Sequence, residues 1–111
     1  MSVADLRHRQ QILETSAGPV LGTSFRWPGG QYCALHTDQG IIGCGLYDVA
    51  VANRFAMAIA IARGTPEHPL YEPEDLLTAQ IVEVSEAAAE RGVRPGQTGE
   101  EALRLLLHPA S

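Results

Sequence analysis

From residue 11 to residue 45 the apolar positions come in short runs separated by Gly, Pro and polar turns, which is the pattern of strands. Gln11 to Glu14 predicts a short strand, broken by Ser16-Ala17-Gly18-Pro19. Val20 to Trp27 carries the β-formers Val20, Thr23, Phe25 and Trp27 and stops at Pro28-Gly29-Gly30, a strong turn signal. Gln31 to Thr37 and Ile41 to Gly45 flank Thr37-Asp38-Gln39-Gly40, which suits a type I turn ending on glycine. A tight antiparallel hairpin follows. With a three-residue loop its register sets Thr37 opposite Ile41, His36 opposite Ile42 and Ala34 opposite Cys44.

Beyond residue 48 the pattern turns mostly helical. Asp48 can cap a helix over Val49 to about Phe55, because its carboxylate accepts from the free amides of a first turn. Ala56 to Ala62 alternates bulky Met57, Ile59 and Ile61 with Ala58, Ala60 and Ala62, a strand period with one large and one small face. Alanine also favours helix, so helix is the alternative to the preferred strand. Arg63-Gly64 ends that segment, and a loop from Thr65 holds Pro66, Pro69 and Pro73. Pro73, Glu74 and Asp75 fit the first turn of a short helix running to about Ala79. Ile81, Val84 and Ala88 are at helical spacing, yet Gln80 to Val84 reads equally as a short strand. In the last segment Thr98 and Glu101 form a capping box, and Leu103, Leu106 and Leu107 make one apolar stripe.

The chain has 111 residues, enough for one core. The expected layout is a polar N-terminal arm over 1–10 and a single domain over 11–111. Hydrophobic residues at 45% and charged ones at 19% exclude wholesale disorder. All eight basic residues are Arg, and the net charge is −5. The acidity is concentrated in residues 67–111, where nine acids face three Arg, mostly as Glu in helix-like segments that read as solvated faces. That balance, with six aromatic residues, argues against nucleic acid as a partner. No apolar run is long enough for a membrane span and no signal-peptide pattern opens the chain, so a cytoplasmic setting is expected.

Two cysteines are the first candidates for chemistry. Their spacing speaks against structural zinc, and no metal or cofactor is expected. In the register above Cys33 and Cys44 lie on opposite faces, which disfavours a disulfide, although a slip of one residue reverses that geometry. Cys44 carries more weight, because Gly43-Cys44-Gly45 puts a thiol between two residues without side chains, just before a helix start. Helix N-terminal amides near a thiol favour thiolate, the nucleophilic form. Asp48 can cap the helix, orient a partner or oppose the thiolate. Three roles for Cys44 stay open: a small buried hydrophobe, a ligand contact, or a nucleophile. A nucleophile also asks for a base, and His36 shares the Cys44 face in this register, roughly 7 Å away on the diagonal. Arg54 and Arg63 can bind a carboxylate or phosphate bidentately, or simply pair on the surface. No Walker loop, dinucleotide fingerprint, G-x-S-x-G or H-E-x-x-H is present.

Over residues 20–107 the chain resembles the YunC-like family of small domains of unknown function. The likeness rests on Asp38-x-Gly40-x-Ile42-x-Cys44-Gly45-x-x-Asp48, Asn53, Arg63-Gly64 followed by Asp75-Leu76-Leu77-x-Ala79, Ser85-x-x-Ala88, and Gly96-x-Thr98-Gly99-x-Glu101-Ala102-Leu103. It implies an α+β, two-layer sandwich in which a curved, mainly antiparallel sheet is covered by helices. It also implies that Cys44-Gly45-x-x-Asp48 is the most site-like block, with Asn53 just beyond. Three features depart from the pattern: Gln97 in place of a more usual Met, a longer proline-rich loop from Thr65 to Glu72, and His36 itself.

The expected function is a ligand-binding or assembly module acting as a homo-oligomer, since Val49 to Ala62 holds more small and apolar residues than a short element buries. The alternative is a thiol-dependent hydrolase or transferase with Cys44 as nucleophile, Asp48 or His36 assisting and the amides after Gly45 stabilising an oxyanion. Gly43, Gly45, Asn53, His36 and Arg63 complete the expected site, with a small molecule as the second possible partner.

Overall fold

Two-residue alternation and two tight turns build the N-terminal half of the protein. The computed structural model describes residues 6–109. Strand β1 (Arg7–Thr15) pairs antiparallel with β2 (Gly18–Trp27), and β2 with β3 (Gly30–His36). The Pro28-Gly29 turn between β2 and β3 has Gly29 at φ 105°, where a side chain would be strained, as a proline–glycine turn requires. Residues 7–10 thus belong to a strand rather than to a polar arm, because their backbone is paired along β2.

Strand β3 turns into β4 (Ile41–Gly43) with Ala34 opposite Gly43, Leu35 opposite Ile42 and His36 opposite Ile41. This is one residue away from the expected register. Thr37 N donates to Gly40 O at 3.0 Å, so Gly40 still belongs to the ladder and the loop is only Asp38-Gln39. Two contacts hold it there. The Thr37 hydroxyl accepts from Gly40 N at 2.9 Å, and a Cβ on Gly40 would come within 2.6 Å of the Ala58 carbonyl oxygen.

The chain then crosses over through α1 (Val49–Arg54) to β5 (Ile59–Arg63), which runs parallel to β4. Parallel neighbours need such a connection. After α2 (Asp75–Thr78), β6 (Gln80–Val84) closes the sheet antiparallel to β5, so both ambiguous stretches of the second half are strands. Sheet pairing decided them, β5 between β4 and β6 and β6 at the edge, which local helix propensity cannot override. Helices α3 (Glu86–Glu90) and α4 (Gly99–Leu107) follow. The result is an α+β domain: a six-stranded, mostly antiparallel open sheet in the order β1-β2-β3-β4-β5-β6, with four helices among the described residues.

The two faces of β5 explain its bulky–small alternation. Ala60 and Ala62 turn to the main core with Leu35 and Ile42, where Leu76 of α2, Ala88 of α3 and Leu103 and Leu106 of α4 cover the sheet. Ile59 and Ile61 turn the other way and pack with Ala52 of α1. Small residues are needed beneath α4, and large ones beneath the short α1. Helix α4 has the expected capping box, with Thr98 and Glu101 reciprocating, and it lies so near α2 that a Cβ on Gly99 would overlap the Leu76 carbonyl oxygen. Leu103 and Leu106 are fully buried. No helix among the described residues is long and apolar enough to cross a membrane.

Candidate functional site

The Asp38-Gln39 turn determines where the two thiols sit. Cys33 lies five residues before Asp38 and Cys44 five after Gln39, so the ladder continues to them, and Cys44 N donates to Cys33 O at 3.2 Å. The two residues stand opposite each other on the face that carries Leu35 and Ile42. The expectation of opposite faces is corrected by the one-residue shift, because side chains alternate with period two. Both cysteines are free.

Their environments differ. Cys33 is fully buried, with its thiol 3.9 Å from the Leu70 carbonyl oxygen, whereas Cys44 keeps 8% of its surface and lines a cavity of about 490 Å3. Gly45, Leu46, Tyr47, Arg63, Thr65 and Leu70 are among the other walls. The Cys33 thiol, which donates to the Leu70 carbonyl oxygen, also lies beside the Cys44 sulfur, and the Cys33 side chain and the Leu46 backbone amide favour ionisation of Cys44. The Cys33 side chain is the larger effect; together they outweigh burial and pull the Cys44 thiol down to about 5. The same pairing, with burial and the neighbouring negative charge, pushes the Cys33 thiol upward. Cys44 is therefore the more acidic thiol of the pair, and Cys33 the one that holds its proton more tightly. Burial, and then the charge at Cys44, also raise the Tyr47 phenol.

The thiolate-favouring amide is thus that of the Gly45-Leu46 turn. Helix α1 begins later, and its cap is Asp48, whose Oδ1 accepts from Ala50 N at 2.8 Å. Asp48 is occupied by the helix and is absent from the cavity wall. Gly43 is required for packing: a Cβ there would stand 2.5 Å from the Tyr47 ring. Gly45 has open space around it and lines the cavity.

Two expected site residues lie elsewhere. His36 is on the opposite face from Cys44, where its Nε2 meets the Thr23 hydroxyl at 2.8 Å and burial lowers its pKa, so the expected Cys44–His36 pairing does not form. Asn53 accepts from Glu86 N at 2.8 Å through Oδ1, tying α1 to the start of α3. Ser85 acts beside it: its buried hydroxyl accepts from Ile59 N and Ala88 N and donates to Met57 O. Arg63 does line the cavity, and it makes no ion pair among the described residues.

Sequence reasoning missed Cys33 as the partner of Cys44 and the Thr65–Leu70 wall. Counting outward from a two-residue turn would have found the first. The wall is held by contacts distant in sequence: Gln31 Nε2 donates to the Leu70 carbonyl oxygen at 2.8 Å, and just beyond it Arg9 bridges Glu72 and Glu74 at 2.7 and 2.6 Å. Arg26 also reaches Glu72, at 2.8 Å, and stacks over the Tyr71 ring. Among the described residues no three His, Cys, Asp or Glu side chains converge as a metal site would require.

Fold and site together define a small α+β domain with a cysteine pair at the wall of a cavity. A family model described as "Domain of unknown function (DUF1805)" matches residues 43–106, and the chain belongs to that family. It is 31% identical over 89 residues to the "Uncharacterized protein YunC" of Bacillus subtilis (strain 168), covering 80% of this chain and 87% of that protein, as the resemblance read from the residues implied. The crystal structure of a protein of unknown function, TA1206 from Thermoplasma acidophilum, has the same fold, with a TM-score of 0.78 and 18% identity over 91% of this chain and 94% of the other.

Proposed function

We propose that this domain binds a small molecule in the cavity beside Cys44 and that the Cys44 thiolate is the reactive group of the site. One observation carries the reading: the cysteine with the depressed pKa is also the one on the cavity wall. A preformed thiolate needs no imidazole to deprotonate it, so the distance to His36 does not count against nucleophilic chemistry. Asp48 serves this site indirectly, by starting α1 and so shaping the turn that carries the Leu46 amide. Arg63 supplies positive charge at the wall, and a ligand with an anionic group and an electrophilic centre suits the pair. The test is the pH profile of Cys44 modification in the folded protein. A profile that tracks an unfolded control defeats the reading.

A second copy of the chain is the proposed partner. Val51, Phe55 and Met57, in and just after α1, are exposed, Phe55 at 69%, which favours a homo-oligomer through this surface. A cytoplasmic setting goes with this reading, because thiols are kept reduced there. Light scattering checks the assembly: a strict monomer at high micromolar concentration removes it.

A further inference from the structure

A nucleophilic thiol on a cavity wall needs only one neighbour for a single fast reaction to follow each oxidation, and here the neighbour is fixed by the sheet. Cys33 stands directly across the ladder from Cys44, joined to it by the Cys44 N to Cys33 O hydrogen bond of 3.2 Å. Directly opposed residues of an antiparallel pair have Cα atoms roughly 4.5–5.5 Å apart, inside the span a disulfide bridges. Cys44 lies just past the end of β4 between Gly43 and Gly45, so its backbone can adjust without breaking a ladder on both sides. Access is one-sided: Cys44 reaches the cavity, and Cys33 is fully buried beneath it.

We infer that Cys44 and Cys33 are the attacking and resolving thiols of a dithiol that reduces hydroperoxides. The inference rests on the reading of Cys44 as the reactive group and adds to it a substrate class and a role for Cys33. The Cys44 thiolate attacks the outer peroxide oxygen; the O–O bond breaks, the leaving alkoxide or hydroxide takes a proton from solvent to depart as alcohol or water, and Cys44 becomes the sulfenic acid. The Cys33 sulfur then attacks the Cys44 sulfur, the S–O bond breaks, and water leaves carrying the Cys33 proton. One peroxide is reduced by two electrons as the two thiols become one disulfide. An external dithiol returns the pair by exchange and is itself oxidised. Removal of the Cys44 charge at the first step also removes part of what holds the proton on Cys33, so the second step is favoured only after the first.

The full chain is treated with a slight excess of hydrogen peroxide near neutral pH, with and without dimedone, and digested under acid for mass spectrometry. The expected wild-type product is a Cys33–Cys44 linked peptide with the loss of two hydrogens and little dimedone adduct. Cys33→Ser is expected to give the dimedone adduct on Cys44 instead, and Cys44→Ser to lose peroxide consumption. Because the wild-type peptide map is decisive by itself, a variant that fails to fold does not rescue the inference. A dimedone adduct that accumulates equally in wild type, or a disulfide only between chains, overturns the resolving role of Cys33 and leaves Cys44 as nucleophile. If peroxide leaves Cys44 untouched while a disulfide probe modifies it at low pH, the hydroperoxide inference alone falls. If neither reagent modifies Cys44, the cavity reading falls with it.

Discussion

Lowering the pH is the perturbation that best separates a preformed thiolate from an ordinary buried thiol at Cys44. An unfolded cysteine with a pKa of about 8.5 is about half ionised at pH 8.5 and about 0.1% ionised at pH 5.5, a fall of about 500-fold in the reacting species. With its thiol held at about 5, folded Cys44 stays about three-quarters ionised at pH 5.5, a fall of only about 1.3-fold. Absolute rates mislead here, because a thiolate of lower basicity is a poorer nucleophile by about 30–50-fold over this difference in pKa, and only 8% of Cys44 is exposed. Both factors are independent of pH and cancel in the ratio. The assay is exchange with a small aromatic disulfide at pH 8.5 and 5.5, with the modified residue assigned by mass spectrometry and a denatured sample as control. Cys33→Ala deletes the largest stabilising contact and should move the inflection upward, toward the ordinary thiol range. A folded-protein rate that falls a hundredfold or more between the two pH values refutes the reasoning.

Three further outcomes test the fold that holds the site. Gly99→Ala forces α4 away from the Leu76 carbonyl and should destabilise by about 1–3 kcal/mol in urea unfolding, whereas the same change at a roomy helical glycine stabilises. Thr98→Ala removes the capping box and should cost about 1 kcal/mol by the same measurement. Burial holds His36 below its usual 6.5, so the unfolded chain takes up that proton first and stability falls as the pH drops through and below 6.5. His36→Gln should flatten that part of the stability–pH curve, and an unchanged slope would show that His36 does not contribute.

The elements whose signals are local were legible in the residues. The capping box of α4, the Pro28-Gly29 turn, the Asp48 cap and the two-faced β5 all stand where spacing and residue type indicated. Period-two alternation cannot say which strand a strand will pair with, however, nor whether a hairpin loop takes two residues or three. Thr37 and Gly40 allow either loop by themselves, and the choice is made by packing Gly40 against the Ala58 carbonyl, a contact across the parallel β4–β5 pair. That single residue of register moved His36 to the far face and set Cys33 against Cys44. Sequence alone therefore determined that the domain is α+β, and it singled out Cys44 as a candidate. Tertiary structure decided its partner, because side chains on adjacent strands meet only in the register that the whole sheet imposes.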